Sequence, residues 1–235
     1  MLNFSKFSVL TFDCYGTMID WEAGIFSALR PILKTHRKKL SDAALLELYS
    51  ELELQAEQQN FLNYREVLQS VVRGFGEQLG FKPTGAEIRS LPDSVARWQP
   101  FADTVGALRR LKTRYKLAVI SNIDDDLFAL SSPKLGVNFD HVITAQQARC
   151  YKPGMKIFQM AKERIGVDTP QWLHVGQSVY HDVIPAKSLG IATVWVNRPS
   201  PRAGAGATKA ATAQPNVEVS SLAALADLAG VREAP

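Results

Sequence analysis

Apolar and polar positions along the chain fall into two regimes. Phe7-Ser-Val-Leu-Thr-Phe12 is a short, β-rich apolar run that halts at Asp13 and Gly16-Thr17, the pattern of a buried strand ending in a loop. From about Ile19 to Arg97 the spacing turns helical: residues 43–54 and 64–75 carry apolar side chains at intervals near 3.6, and no strand pattern interrupts them. After Pro100 strand and helix alternate. Strands are predicted over 116–120, 141–144, 172–175 and 192–196, separated by helical stretches near 103–114, 124–135, 154–165 and 182–189. Residues 216–219 read as an edge strand and 221–229 as a last helix. The small, low-complexity segment 200–215 reads as a flexible surface loop. The alternation predicts an α/β protein, a doubly wound Rossmann-like parallel sheet with helices on both faces and a helical insertion after the first strand. Residues 1–18 and 99–235 would form the core, and 19–98 the insertion.

In such sheets ligands bind outside the carboxyl ends of the strands, so the residues there carry the chemistry. Asp13-Cys-Tyr-Gly-Thr17 follows the first strand, Ser121-Asn122 the second, Lys152-Pro153 the third, and Gly176-Gln-Ser-Val-Tyr-His-Asp182 the fourth. Taken singly, each has a bland reading. An Asp after a strand forms turns, Ser121-Asn122 is a helix-cap signal, a Lys before Pro is solvated, and Asp182 caps the helix it precedes. Together they bring a carboxylate, a hydroxyl, an ammonium and a second carboxylate to one rim, the composition of a nucleophilic site with charge compensation. Ser178 does not make a serine hydrolase, because Gly-Gln-Ser-Val-Tyr lacks the second Gly of a nucleophile elbow.

Bulk properties change this picture little. The chain has 235 residues, 46% apolar and 21% charged, with a net charge of +4, an ordinary globular balance. The one basic run, Lys34 with His36, Arg37, Lys38 and Lys39, has no interleaved aromatics, so no nucleic-acid partner is expected. No stretch approaches the ~18 apolar residues of a membrane span. Cys14 and Cys150 are the only cysteines, no Cys/His cluster has metal-ligand spacing, and the opening residues carry no apolar leader pattern. A cytoplasmic enzyme is the expectation.

Phe12-Asp13-Cys14-Tyr15-Gly16-Thr17 resembles the first motif of the haloacid dehalogenase-like hydrolases. Ile120-Ser121-Asn122 resembles the second, Tyr151-Lys152-Pro153 the third, and Val175 through Asp182 the fourth. The helical insertion sits where that family places its cap. The family's phosphatases hold magnesium between the nucleophilic Asp and an acid of the fourth motif, and a second Asp two residues after the nucleophile protonates the leaving group. Here Tyr15 stands at that position, and a phenol with a pKa near ~10 is a poor acid at neutral pH. Gln177 likewise offers a neutral carbonyl where a hard cation wants charge.

Asp-x-Tyr-Gly-Thr is similar instead to the L-2-haloacid dehalogenases of the family. That resemblance implies metal-independent conversion of a short 2-haloalkanoic acid, a small anionic substrate, to the 2-hydroxy acid through an ester on Asp13, with no cofactor and in a homodimer. Lys152 would pair with Asp13, water near Asp182 would hydrolyse the ester, and Thr17 and Ser121 would hydrogen-bond the carboxylates and developing charge. Tyr15, Asn122, Gln177, His181 and Arg65 are the substrate-binding candidates. The dehalogenases carry an arginine on the first cap helix; the helix placed here around 45–57 contains none, and Arg65 and Arg73 on the next are the nearest. His174, inside a strand, is expected to be core. Lys152→Ala is expected to lower turnover by several orders of magnitude without unfolding the protein. The alternatives are a magnesium-dependent small-molecule phosphatase of the same family and a catalytically degenerate binding protein.

Overall fold

The computed structural model describes residues 2–58, 60–199 and 206–232. Its centre is a six-stranded, all-parallel sheet of β1 (Val9–Phe12), β2 (Lys116–Ser121), β3 (His141–Thr144), β4 (Trp172–Gly176), β5 (Ala192–Val196) and β6 (Val217–Val219), in spatial order β3-β2-β1-β4-β5-β6. β1 is central and buried along its whole length. That is why its sequence is nearly continuous in apolar residues rather than alternating, as parallel strands covered on both faces require. Strand order reverses at β1, so the crevice beyond Phe12, paired with Val119 on one side and Val175 on the other, is the topological switch point.

The insertion after β1 holds, among the described residues, α1 (Trp21–Thr35), α2 (Asp42–Glu57), α3 (Tyr64–Leu79) and α4 (Gly85–Ser94). Their starts are written locally. The Asp20 carboxylate accepts from Ala23 N–H at 3.1 Å, and Ser41 Oγ accepts from Ala44 N–H at 3.1 Å. Thr84 and Glu87 form a reciprocal capping box at α4. α2 packs on α3, α3 on α4 and α4 on α1. The remaining helices flank the sheet: α5 (Thr104–Lys112), α6 (Asp125–Ser131), α7 (Ala145–Ala148), α8 (Met155–Ile165), α9 (Ile184–Ser188) and α10 (Leu222–Leu228).

Helices α1 and α4 add to the two that periodicity gave for the insertion. The stretch expected to be helical over 182–189 begins as a five-residue π turn, Val179–Val183, before α9, which sets His181 and Asp182 in irregular backbone beside the site. Within the segment 200–215, expected to be a flexible surface loop, the described residues 206–215 form neither helix nor strand, and two of them pack on the protein. Residues 200–205 lie outside the described residues, but Ala207 is buried and donates its N–H to Glu22 Oε1 at 3.1 Å. Thr208 Oγ1 donates to Gln177 Oε1 at 3.2 Å. Low complexity here reflects small side chains that let backbone lie close against the molecule: a Cβ on Gly206 would sit 2.4 Å from Glu22 Oε1.

Candidate active site

Asp13 is the first residue past β1. Its N–H still donates to Val175 O at 2.9 Å, which holds the backbone in register with β4. Its carboxylate is nine-tenths buried and bonded on both oxygens. Thr17 Oγ1 donates to Oδ2 at 2.7 Å, and Lys152 Nζ donates to Oδ1 at 2.8 Å. Thr17 is itself fixed, its Oγ1 accepting from Gln177 N–H at 2.8 Å. The Lys152 ammonium uses all three protons: besides Asp13 it donates to Ile120 O at 3.0 Å and to Asp182 Oδ1 at 2.7 Å. Asn122 clamps the same lysine through its backbone, accepting from Lys152 N–H at 2.7 Å and donating to Lys152 O at 3.1 Å. Asn122 therefore positions the ammonium, although it also borders the cavity.

Asp182 is held from the other side. His174 Nε2 donates to Oδ1 at 3.1 Å and Ser178 N–H to Oδ2 at 3.2 Å. Behind His174, Nδ1 lies 2.8 Å from Thr11 Oγ1, which accepts from Trp172 Nε1 at 2.7 Å. The chain is satisfied when Thr11 donates to His174 Nδ1 and His174 passes its Nε2 proton toward Asp182. Gly176 makes the approach possible, because a Cβ there would lie 2.4 Å from the Asp182 carboxyl.

Burial works against every charge in this cluster, and pairing decides the outcome. Burial pushes Asp182 up, but Lys152 and the His174 bond outweigh it and hold the carboxyl far below its ordinary range. Burial would lower Lys152, but Asp13 and Asp182 together raise it. Asp13 is raised by burial and by the neighbouring Asp182 against the pull of Lys152. It is thus a desolvated carboxylate that keeps a balancing cation.

The cluster opens onto a small cavity of about 40 Å³ between the sheet rim and the helical insertion. Among the described residues, two buried side-chain polar atoms lack a hydrogen-bond partner, Ser121 Oγ and His181 Nε2, and both residues line this cavity. Burial lowers His181 to about 4, so its ring is neutral at ordinary pH. Ser178 Oγ accepts from His181 N–H at 2.9 Å and lies 3.1 Å from its Nδ1.

Residues 7–190 match the model of the haloacid dehalogenase-like hydrolases. The chain belongs to that family. Among curated relatives, it is 26% identical over 195 residues to an (S)-2-haloacid dehalogenase of Pseudomonas sp. (strain YL), covering 80% of this chain and 82% of that one. It is 27% identical over 199 residues to haloacetate dehalogenase H-2 of Moraxella sp. (strain B), covering 82% and 87%. The fold matches the L-2-haloacid dehalogenase of Xanthobacter autotrophicus solved with chloropropionic acid covalently bound, with a TM-score of 0.77 and 20% identity over 94% of this chain and 98% of the other.

The magnesium of phosphatases in this haloacid dehalogenase-like family does not fit the donors present. Among the described residues no group of three or more His, Cys, Asp or Glu side chains is arranged to hold a metal. The Lys152 ammonium bridges the two carboxylates, and Gln177, bonded to Thr208, adds no charge. Tyr15 lines the cavity, but its hydroxyl lies 2.9 Å from Ser131 Oγ and burial pushes its pKa well up, so it is no proton donor to a leaving group.

The structure brings Asp13, Tyr15, Ser121, Asn122, Lys152, Gln177, His181 and Asp182 to one cavity, with Thr17 bonded directly to Asp13. Arg65 is not among them. It sits on α3 ion-paired with Asp126 at 2.6 Å and Asp93 at 3.5 Å, so the expected substrate contact is corrected to a surface ion pair. His174 is core, as its strand position implied, yet it also orients Asp182. Missed altogether were Glu53 and Glu57, which line the cavity from α2. Tyr49, Glu53 and Glu57 recur at i, i+4, and that acidic spacing on the helix face that also carries Leu45, Leu52 and Ala56 was the available signal. Among the described residues no helix is long and apolar enough to cross a membrane.

Proposed function

We propose that the protein hydrolyses the carbon–halogen bond of a short 2-haloalkanoic acid, giving the 2-hydroxy acid and halide without a metal, through an ester on Asp13. One observation carries this reading. The cavity holds a desolvated carboxylate balanced by an ammonium, and the residue two positions on, where the family's phosphatases place their acid, is an engaged phenol, an arrangement suited to a leaving group that departs unprotonated as a stable anion. Halide does so; an alkoxide leaving from a phosphate ester does not. The names of the relatives support the same chemistry, and the small cavity suits a chain of two or three carbons. Residues 19–98 act as the cap that closes it, over a core of 1–18 and 99–235.

In the first step an oxygen of Asp13 attacks the halogen-bearing carbon. The carbon–halogen bond breaks with its electron pair on the halide, leaving an ester. Lys152 and Thr17 hold the carboxylate in the attacking orientation, and Ser121 Oγ, unpartnered and buried, is a donor for substrate. In the second step water attacks the Asp13 ester carbonyl. Asp182 is a weak base, with Oδ1 taken by Lys152 and His174 and its charge firmly held. With Nδ1–H donating to Ser178, His181 Nε2 keeps a free lone pair facing the cavity and accepts the water proton. The ester breaks at the carbonyl carbon, the departing alkoxide takes the proton back from His181 and leaves as the 2-hydroxy acid with the Asp13 oxygen, and the new carboxylate oxygen comes from water, whose second proton goes to solvent.

The test is a substrate panel. Chloroacetate and 2-chloropropionate should release chloride, and the rate should survive exhaustive chelation. Phosphate release from generic esters that requires magnesium, with no chloride from either haloacid, would overturn the reading.

A further inference from the structure

The wall of the cavity opposite Asp13 is acidic. Glu53 is 8% exposed, and its Oε1 accepts from Tyr49 Oη at 2.9 Å and Tyr64 Oη at 2.6 Å. Glu57, one turn on, closes the C-terminal end of α2, where no basic residue offsets the helix dipole. Lys152 alone among the cavity-lining residues carries an ammonium, and Asp13 and Asp182 already balance it. Among the described residues, the other ionisable groups facing the pair bring no countercharge. Tyr15 and Tyr64 are buried phenols, Tyr151 donates its hydroxyl to Leu62 O at 2.8 Å, and His181 is neutral. Burial raises Glu53 to about 7. Burial, reinforced by the charge of Glu53, raises Glu57 well above its ordinary range despite Lys152. An anion entering this space meets four carboxyls and one spent ammonium, and the buried, unpartnered Ser121 Oγ shows that the same space still has polar capacity for a ligand.

We propose that Glu53 and Glu57 form an anion subsite that works by proton uptake: as a substrate carboxylate enters, the pair binds one proton from solvent, and the resulting neutral carboxyl donates a hydrogen bond to the substrate. The proposal rests on the carboxylate substrate of the preceding section. It explains how a cavity wall on which α2 presents glutamates and no arginine can still receive an acid. Repulsion between the arriving carboxylate and an ionised pair raises the pair's proton affinity, so binding and protonation are linked. Once neutral, the carboxyl is a donor to a charged acceptor, the stronger kind of hydrogen bond. The consequence is a substrate affinity that weakens with pH above neutrality.

The experiment uses the intact protein and unreactive probes, propionate and its neutral isostere propionamide, in titration calorimetry at a series of pH values in buffers of different ionisation enthalpy. On the alkaline side, where the free pair is ionised, propionate should bind with uptake of close to one proton, and the uptake should vanish at acid pH, where the pair already holds its protons. Its affinity should fall about tenfold per pH unit on the alkaline side, the slope of one linked proton. Propionamide should bind without uptake and with a flat profile. Glu57→Gln and Glu53→Gln should each reduce the uptake, and the double variant should abolish it and flatten the profile. Propionate binding with no proton uptake, no saturable propionate binding at any pH, or propionamide binding more tightly than propionate throughout would overturn the subsite. The last result would mean that the wall selects a hydrogen-bond donor. Chloride release is read separately: uptake on propionate without any dehalogenation would leave the subsite standing and remove the reaction.

Discussion

On the floor of the cavity Asp13 and Asp182 share the Lys152 ammonium, with Thr17 also bonded to Asp13 and His174 and Ser178 N–H to Asp182. On the opposite wall Glu53 accepts two phenol hydroxyls, Glu57 stands one turn on, and among the described residues no ion pair reaches either. Both pairs are carboxyls removed from water within one small space. They differ in compensation, and the difference separates their chemistry. A paired carboxylate stays ionised and is available as a nucleophile or an anchor. An uncompensated one holds its proton into the neutral range and acts as a proton binder. Residue type alone would have given all four the same role.

The sharpest way to break the floor is to remove its cation. Lys152→Met should lower halide release by several orders of magnitude, since Asp13 loses both its orientation and the charge that lets it ionise while dry. Lys152 is 2% exposed and bonded three times. Removing it therefore also strands two buried carboxylates, at a cost of about 3–5 kcal/mol. This corrects the expectation that Lys152→Ala spares folding. Adding Asp182→Asn should recover part of the melting temperature and none of the turnover. Near-normal turnover in the single variant would show that the ammonium is structural only.

The wall gives the opposite sign. Because the folded protein keeps Glu53 protonated up to about 7, while the unfolded chain releases that proton near ~4.3, the group costs stability as pH rises between those values, and the cost is constant above. Glu53→Gln keeps an oxygen for the two tyrosines and removes the titration. Its stability relative to the parent should therefore rise across that window by about 4 kcal/mol at most, read from denaturant unfolding at acid and mildly alkaline pH. A pH-independent difference would mean that folding leaves the proton affinity of Glu53 where the unfolded chain has it.

The floor was legible in the sequence and the wall was not, for a physical reason. Asp13 and Ser121 lie at the carboxyl ends of strands and Lys152 and Asp182 in the segments that follow β3 and β4, and strand alternation plus the crevice rule places such residues together without any knowledge of packing. Glu53 and Glu57 reach the site only through the docking of α2 over the rim, which depends on how four helices pack. The same holds for Thr208, whose backbone runs in a segment that composition marks as a loop. His174 reads as core because it is core; that its ring also faces Asp182 depends on the π turn at Val179–Val183, which no local pattern announces. Asp124 is a similar case: it accepts from Tyr64 N–H at 2.8 Å and Arg65 N–H at 2.9 Å, tying the start of α3 to the sheet.

The smallest effect is expected outside the cavity. Arg65 is ion-paired with exposed Asp126 and Asp93, and such surface pairs contribute about 0–1 kcal/mol. Arg65→Ala should leave KM and kcat for 2-chloropropionate within experimental error of the parent. A large rise in KM would place Arg65 at the substrate and weaken the case for the glutamate wall as the carboxylate subsite.

The floor's central claim is that the Asp13 oxygen, and not water, attacks the substrate carbon. A single turnover in heavy-oxygen water, with enzyme in excess over 2-chloropropionate, tests it directly by mass spectrometry of both product and peptide. The account predicts heavy oxygen in the Asp13 side chain and none in the new hydroxyl of the lactate formed. Heavy oxygen in the product hydroxyl, with an unlabelled Asp13, would make the aspartate a general base and contradict the covalent mechanism.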